Sequence, residues 1–312
     1  MSTFGYVITL VVLITILQCQ VQADSDIYLL GHNTRVWLAE QDSKRNMHYK
    51  PQPPETVKEA FDSVKKDLGG VMHILGSAKE IKTLSILVLV ETKNDPCPHE
   101  PAARKKYIHR HILRIAAFWN EVNVVLNQAI QDPIVQIRIA GIVIPDNEDA
   151  GYSYAFSKNV HRFLKPFGSE LLKAYDTLND QLFGWSAATN NFFNANNFNV
   201  IATMYHLDSA GLFNYSWSMR FNNCEGKNRR PPACGLIFYN DSYGVSRAVG
   251  EVAHLLGREY SGNTAKVYQA SDISADDVAA IRRNLKSMSC WDKPNENWKP
   301  GKPLPPIFFK DL

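Results

Sequence analysis

Apolar residues run along this chain in two alternating rhythms. Leu84-Ser-Ile-Leu-Val-Leu-Val90 is a continuous, β-branched stretch, which predicts a strand buried on both faces. From Ala102 to Ala129 the rhythm changes: Ile108, Ile112, Ile115, Trp119, Val122 and Leu126 recur at steps of three and four, marking one buried face of a long helix. Val135 to Ile144 alternates and then turns apolar, a second strand. Phe198 to Tyr205 and the short run Gly235–Tyr239 add two more. Helical patterns fill the intervals: one opens at Ser157, breaks at Pro166 and resumes to about Leu182; one follows Ser246, whose hydroxyl can cap it; one runs from Ser274 through Leu285. Strands alternating with helices predict an α/β domain with a mixed, mostly parallel sheet and long helices, stabilised by disulfides if the chain meets an oxidising compartment. His109 and His111 lie two apart on the long helix and therefore point apart, so a surface role is expected for both.

The ends read differently from the middle. Val7 to Leu17 is apolar but short for a bilayer, and Val21-Gln-Ala23 has small residues at cleavage spacing, so residues 1–23 read as a secretory signal peptide. Residues 24–80 are polar and mixed, with a break at Pro51-Gln-Pro-Pro54 and a helical pattern from Thr56 to about Leu75. They read as an N-terminal extension or short propeptide ahead of a domain spanning 81–294, with a Pro-rich tail over 295–312. A secreted, extracellular chain would carry Cys97, Cys224, Cys234 and Cys290 through an oxidising route, so two disulfides are expected, with three connectivities open. Asn214-Tyr-Ser and Asn240-Asp-Ser are then glycosylation sequons.

Composition narrows the partners. Of 312 residues 45% are apolar and 21% charged, enough to bury a sizeable core. The net charge of +3 makes no case for nucleic acid or an anionic membrane as partner. Lys227-Asn-Arg-Arg230 is short and reads as a solvated loop.

The stretch Arg247-Ala-Val-Gly-Glu-Val-Ala-His-Leu-Leu-Gly-Arg-Glu-Tyr260 carries the candidate chemistry. Set against the zinc motif H-E-x-x-H-x-x-G-x-x-H, it matches at Glu251, His254 and Gly257. The first His position holds Gly250 and the third holds Tyr260. In the intact motif two imidazoles share a helix face, the Gly turns the chain back with the third, and the Glu takes a proton from the metal-bound water. A glycine inside a helix costs about 1 kcal/mol relative to Ala, so helix propensity did not select Gly250.

Taken with the strand Ser85–Val90, Phe118-Trp-Asn120, Gln136–Ile144, Asn199–Tyr205, Ala233-Cys-Gly235 and Ser289-Cys-Trp-Asp-Lys-Pro294, residues 81–294 resemble the catalytic domain of the reprolysin and ADAM branch of the metzincins. The likeness is to the secreted short forms of arthropod venom and saliva. The resemblance implies Glu251 as a vestigial general base, His254 as a vestigial metal ligand, and Gly250 and Tyr260 at lost ligand positions. By the family's pattern Cys234 pairs with Cys290, which leaves Cys97 with Cys224. Where the family has its Met-turn, this chain has Tyr268-Gln-Ala-Ser271, with Ala270 at the methionine position. The expectation is a secreted pseudoenzyme without a cofactor that binds a protein partner, for example a host protein, through the old cleft. Two alternatives stand beside it: an active zinc endopeptidase with ligands recruited from elsewhere, such as His206 or His161, and a toxin or immune modulator acting through the 210–233 loop.

Overall fold

The computed structural model describes residues 30–41, 47–67, 81–90, 97–131, 134–146, 200–205, 217–218, 233–238, 243–258 and 270–287. Strands β1 (Leu30–Gln41), β2 (Met47–Pro51), β3 (Ile81–Val90), β4 (Ile134–Pro145), β5 (Val200–Tyr205), β6 (Trp217–Ser218) and β7 (Ala233–Phe238) form one sheet in the order β2-β1-β4-β3-β5-β7-β6. The inner pairs β1/β4, β4/β3, β3/β5 and β5/β7 are parallel. The outer pairs β1/β2 and β6/β7 are antiparallel. The helices are α1 (Pro54–Asp67), α2 (Pro101–Ile130), α3 (Tyr243–Leu255) and α4 (Ala275–Ser287), with a 3-10 turn at Ala270–Asp272. The α/β architecture with a mixed, mostly parallel sheet is the one the hydrophobic pattern predicts. The helical region expected from Ser157 to Leu182, and any continuation of α1 towards Leu75, lie outside the described residues.

β3 shows why the sequence reads as it does. Leu84, Ile86, Val88 and Val90 join the core cluster beneath the helices, and Leu87 and Leu89, of opposite parity, are buried as well. β4 changes parity along its length: Val135, Ile137 and Ile139 face the core, then Ile142 and Ile144. The register with β3 runs Ile86↔Ile139 and then Leu87↔Gly141, so Ala140 is the extra residue of a bulge. The bulge returns the apolar set to the core face after one step. Gly141, just past it, lies under the Trp37 ring; a Cβ there would sit 2.5 Å from the ring and 2.9 Å from the Leu87 side chain.

Residues 30–67, expected as part of an N-terminal extension or short propeptide, contribute β1 and β2 to this sheet and α1 to the helices packed on it. β1 pairs with β4 over Arg35↔Gly141 to Ala39↔Pro145 and buries Val36, Trp37, Leu38 and Ala39. Its partners lie about a hundred positions away, which local pattern cannot show.

α2 is the beam of the helical layer; α1, α3, α4 and the 3-10 turn all rest against it, and it packs across β4. Glu100 caps it, accepting from the Ala102 N–H at 3.0 Å and the Ala103 N–H at 2.7 Å, with Pro101 at the first helical position. Those two bonds, Ala102 first, hold the Glu100 carboxyl below the usual carboxylate range, and Lys106 adds to the effect. Near the other end, the Asn127 carboxamide acts as a strand neighbour. Its Nδ2 donates to the Val135 carbonyl at 2.7 Å and its Oδ1 accepts from the Val135 N–H at 2.8 Å. Asn123 Oδ1 accepts from the Ile137 N–H at 3.1 Å. Among the described residues β1 pairs with β4 only from Ile139 onward, so at Val135 and Ile137 the two asparagines take the place that β1 fills further along.

His111 corrects the surface reading of the two helix histidines. It is buried, with its ring edge-on to Tyr107 at a 4.5 Å centroid distance, while His109 is half-buried. α2 is covered by α1, β4 and α3 together, so its buried arc is wider than the single stripe its isoleucines mark.

Two outcomes follow. Gly141→Ala should destabilise the fold by about 1–3 kcal/mol, because the added methyl meets an aromatic ring rather than a flexible side-chain end; denaturant unfolding measures it. Glu100 has a folded pKa below its unfolded one, so its contribution is present above the unfolded value and lost as pH falls through the folded one. Glu100→Gln should therefore lower the melting temperature at neutral pH, and the difference from wild type should vanish in acid.

Candidate functional site

α3 is apolar on nearly every side. Val245, Ala248, Val249, Val252, Ala253, Leu255 and Leu256 are all in the core, and Glu251 is 2% exposed. Within residues 244–256 only Arg247 and His254 are half-exposed. They sit seven apart, on one stripe of the helix, and Gly250 lies between them on the same stripe. The helix is thus half-exposed at two points two turns apart, Arg247 and His254, while Gly250 between them is buried.

The start of this helix differs from expectation. It begins at Tyr243, so Ser246 lies within it and is not its cap. The Ser246 hydroxyl is buried with no hydrogen-bond partner among the described residues. Burial of Val245 and Ser246 sets the helix start earlier than local capping preference would.

The helix ends in a turn at Gly257. Gly257 has φ +107°, a left-handed conformation suited to glycine. The Gly257 N–H donates to the His254 carbonyl and the Arg258 N–H to the Ala253 carbonyl, both at 2.9 Å, the paired bonds of a Schellman turn. α4 then locks the turn from outside. Asn284 Nδ2 donates to the Leu256 carbonyl at 3.0 Å, and the Arg258 guanidinium meets Asp277 at 3.2 Å, with both side chains largely buried. Asp277 also closes a capping box with Ser274, each side chain accepting from the other's N–H at 3.1 Å. Arg282 reaches back to cap α2, its Nε donating to the Ile130 carbonyl at 3.1 Å. The expectation of a helix beginning after Ser274 is met.

This closure fixes His254. Its Nδ1 lies 3.0 Å from the Arg258 carbonyl oxygen. A carbonyl only accepts, so Nδ1 carries the proton, and in the neutral ring Nε2 bears the lone pair. A backbone carbonyl orienting one ring nitrogen in this way is how proteins prepare an imidazole whose other nitrogen binds a metal or accepts a proton.

One imidazole does not make a zinc site. Gly250, one turn before His254, has no donor atom, and Glu251 is packed in the core. No group of three His, Cys, Asp or Glu side chains among the described residues is placed to hold a metal. The described residues therefore do not fit zinc. Tyr260, His161 and His206 lie outside the described residues, as do Cys224, Cys290 and both sequon asparagines, Asn214 and Asn240. Ala270 opens the 3-10 turn that packs against α2. Cys234 lies on β7. Cys97 is buried just before α2, with its sulfur 3.9 Å from the Pro98 carbonyl oxygen.

Pattern reading found Glu251, His254 and Gly257 but missed their supports, Asn284, Arg258 and Asp277. Ser274-x-x-Asp277 was a legible capping signal. Nothing local marks Asn284 as the partner of a carbonyl 28 positions earlier.

Comparison with models of known protein families finds no match, and neither does comparison with curated proteins. Among solved structures the chain is similar to the crystal structure of metalloproteinase-II from Bacteroides fragilis, at 11% identity and a TM-score of 0.38, over 81% of this chain and 85% of that one. A likeness at that level fixes neither family nor activity for this chain. No described helix is long and apolar enough to cross a membrane.

The lock predicts a non-additive pair. A Cβ at Gly257 would fall 1.7 Å from Asn284 Nδ2, so Gly257→Ala both strains the turn and expels the amide from the Leu256 carbonyl. It should cost about 2–3 kcal/mol, against about 1 kcal/mol for Asn284→Ala. In the Asn284→Ala background the glycine change should cost about 1 kcal/mol less, a coupling that thermal or urea unfolding of the four proteins measures.

Proposed function

We propose that this protein is a secreted, metzincin-type homologue of a zinc protease that has lost catalysis and acts by binding a protein partner along the stripe of α3. The observation that carries the reading is the mismatch within one helix. Supporting it are the core-facing residues of the helix, the buried Glu251, the oriented imidazole of His254 and the left-handed turn at Gly257. The position one turn before His254 is a glycine. His254 and Arg247, half-exposed two turns apart on an otherwise buried helix, are where a partner would meet it, and one imidazole supplies no Lewis acid.

Metal content of the purified protein tests the reading first. The expected result is no stoichiometric zinc after dialysis and no cleavage of casein-type substrates. Near-equimolar zinc with chelator-sensitive proteolysis would overturn it and favour ligands recruited from outside α3.

Reversion tests whether the scaffold persists. Residues 250 and 254 share a helix face, and the Arg258 carbonyl already orients the His254 ring through Nδ1. Gly250→His combined with Tyr260→His should bind zinc tightly, while each single change binds weakly. Replacing a helix-interior glycine by His also favours the helix by about 0.3–0.5 kcal/mol, offset by the bulk introduced at a buried position. Titration of the double variant is the measurement; no gain over the parent would remove the zinc-protease ancestry from the reading of this helix.

A further inference from the structure

Without residues 30–67, β4 would be a sheet edge. On one side it pairs with β3; on the other it pairs with β1, over Arg35↔Gly141 to Ala39↔Pro145. The strand left bare would be 12 residues long and mostly apolar, Ile134-Val-Gln-Ile-Arg-Ile-Ala-Gly-Ile-Val-Ile-Pro145. A long apolar edge invites pairing with other chains. The fold covers it from Val135 to Asp146. Asn127 and Asn123 serve Val135 and Ile137 from α2, β1 takes over at Ile139, and the Asp146 N–H donates to the Ala39 carbonyl at 2.7 Å past the last pair. The edge that replaces it is β2, five residues long, with His48 and Lys50 exposed and Pro51 at its end. A short, polar, proline-ended strand resists further pairing.

The join is built as core. Val36 and Leu38 of β1 and Val57 and Ala60 of α1 belong to one hydrophobic cluster with Leu84, Ile112, Ile139 and Ile142, and each is at most 6% exposed. On the other face of the sheet the buried Trp37 ring lies over Gly141, where a Cβ would collide with it. The Thr34 hydroxyl donates to the Ile139 carbonyl at 2.6 Å, and the Gln52 N–H donates to the Val36 carbonyl at 2.8 Å. α1 rests on α2, where Glu59 pairs with Lys105 at 2.6 Å. A contact that carries one apolar cluster across both sides has the character of an obligate interface, a core cut in half. Parting it would return that apolar surface to water on both pieces.

A propeptide that leaves must leave a closed core behind, and this segment would leave an open one. We propose that residues 30–67 are a permanent part of the folded protein. A cut between α1 and β3 would then not release them; it would leave a two-chain protein held together by β1 and α1. Of the two roles the sequence allows this segment, extension or propeptide, the packing selects the extension. The proposal is independent of how α3 functions.

A specific protease site inserted between Asp67 and Ile81 of the full chain tests it. After cutting, verified on a denaturing gel, the two fragments should elute together from a sizing column in native buffer and separate only in denaturant. An N-terminal fragment that elutes alone in native buffer overturns the proposal, whatever becomes of the remainder. The uncut chain supplies a second measure. Leu38→Ala hollows the shared cluster and should lower the main thermal transition by roughly 5–15 °C. A main transition that stays in place overturns the proposal too, as does natural protein that begins between residues 68 and 81 with no upstream fragment bound to it.

Discussion

What α3 can present depends on how its C-terminus is closed. A helix end leaves carbonyls without intrahelical partners, and a buried one must find donors for them. Here the left-handed turn at Gly257 supplies two backbone N–H groups, and Asn284 of α4 supplies a third donor. The same turn brings the Arg258 carbonyl to the His254 ring and the Arg258 guanidinium to Asp277. The orientation of one imidazole therefore rests on a positive φ, a cross-helix amide and a largely buried ion pair. α4 in turn is fixed by its own capping box and by Arg282 on the end of α2. Loosening any one of these loosens the Arg258 carbonyl that orients the imidazole.

The sheet supplies the rigid side of this arrangement. β4 and β3 are buried on both faces, and α2 is tied to β4 by asparagines that imitate a neighbouring strand. Because α2 also carries α3 and α4, the distance from sheet to site is set by one stiff helix. The bulge at Ala140 and the bare Gly141 beneath Trp37 are the local irregularities that let β1 join from a remote part of the chain.

Much of this was legible in the chain itself. The runs at Leu84–Val90 and Val135–Ile144, and the three-and-four spacing of Ile108 to Leu126, located β3, β4 and α2 to within a few residues. The step from Ile137 and Ile139 to Ile142 and Ile144 even records the bulge, as a slip of one in a period of two. Other features were hidden for physical reasons. β1 reads as polar and mixed because its order comes from parallel pairing with a strand more than a hundred residues later. Asn123 and Asn127 look like poor helix formers until their role on β4 is seen. Gly257 was readable as a turn because only its backbone matters, whereas Asn284 was not, because a side chain that serves a distant carbonyl leaves no local trace.

A site and its scaffold are held by different forces, and this chain separates the two. Metal ligands contribute to folding only through the ion they hold. The closure of α3 draws on His254, Gly257, Arg258, Asp277 and Asn284, through hydrogen bonds, a turn and an ion pair that need no ion. None of these is a position where the chain departs from the zinc motif; the departures fall at Gly250 and Tyr260. Replacing a His ligand by glycine costs the helix about 0.3–0.5 kcal/mol, whereas breaking the turn costs about 2–3 kcal/mol. On the proposed reading, a chain released from catalysis but still required to fold would sooner lose its ligands than its turn. His254 would remain because its imidazole also satisfies a carbonyl at the helix end, a structural task that outlasts the metal.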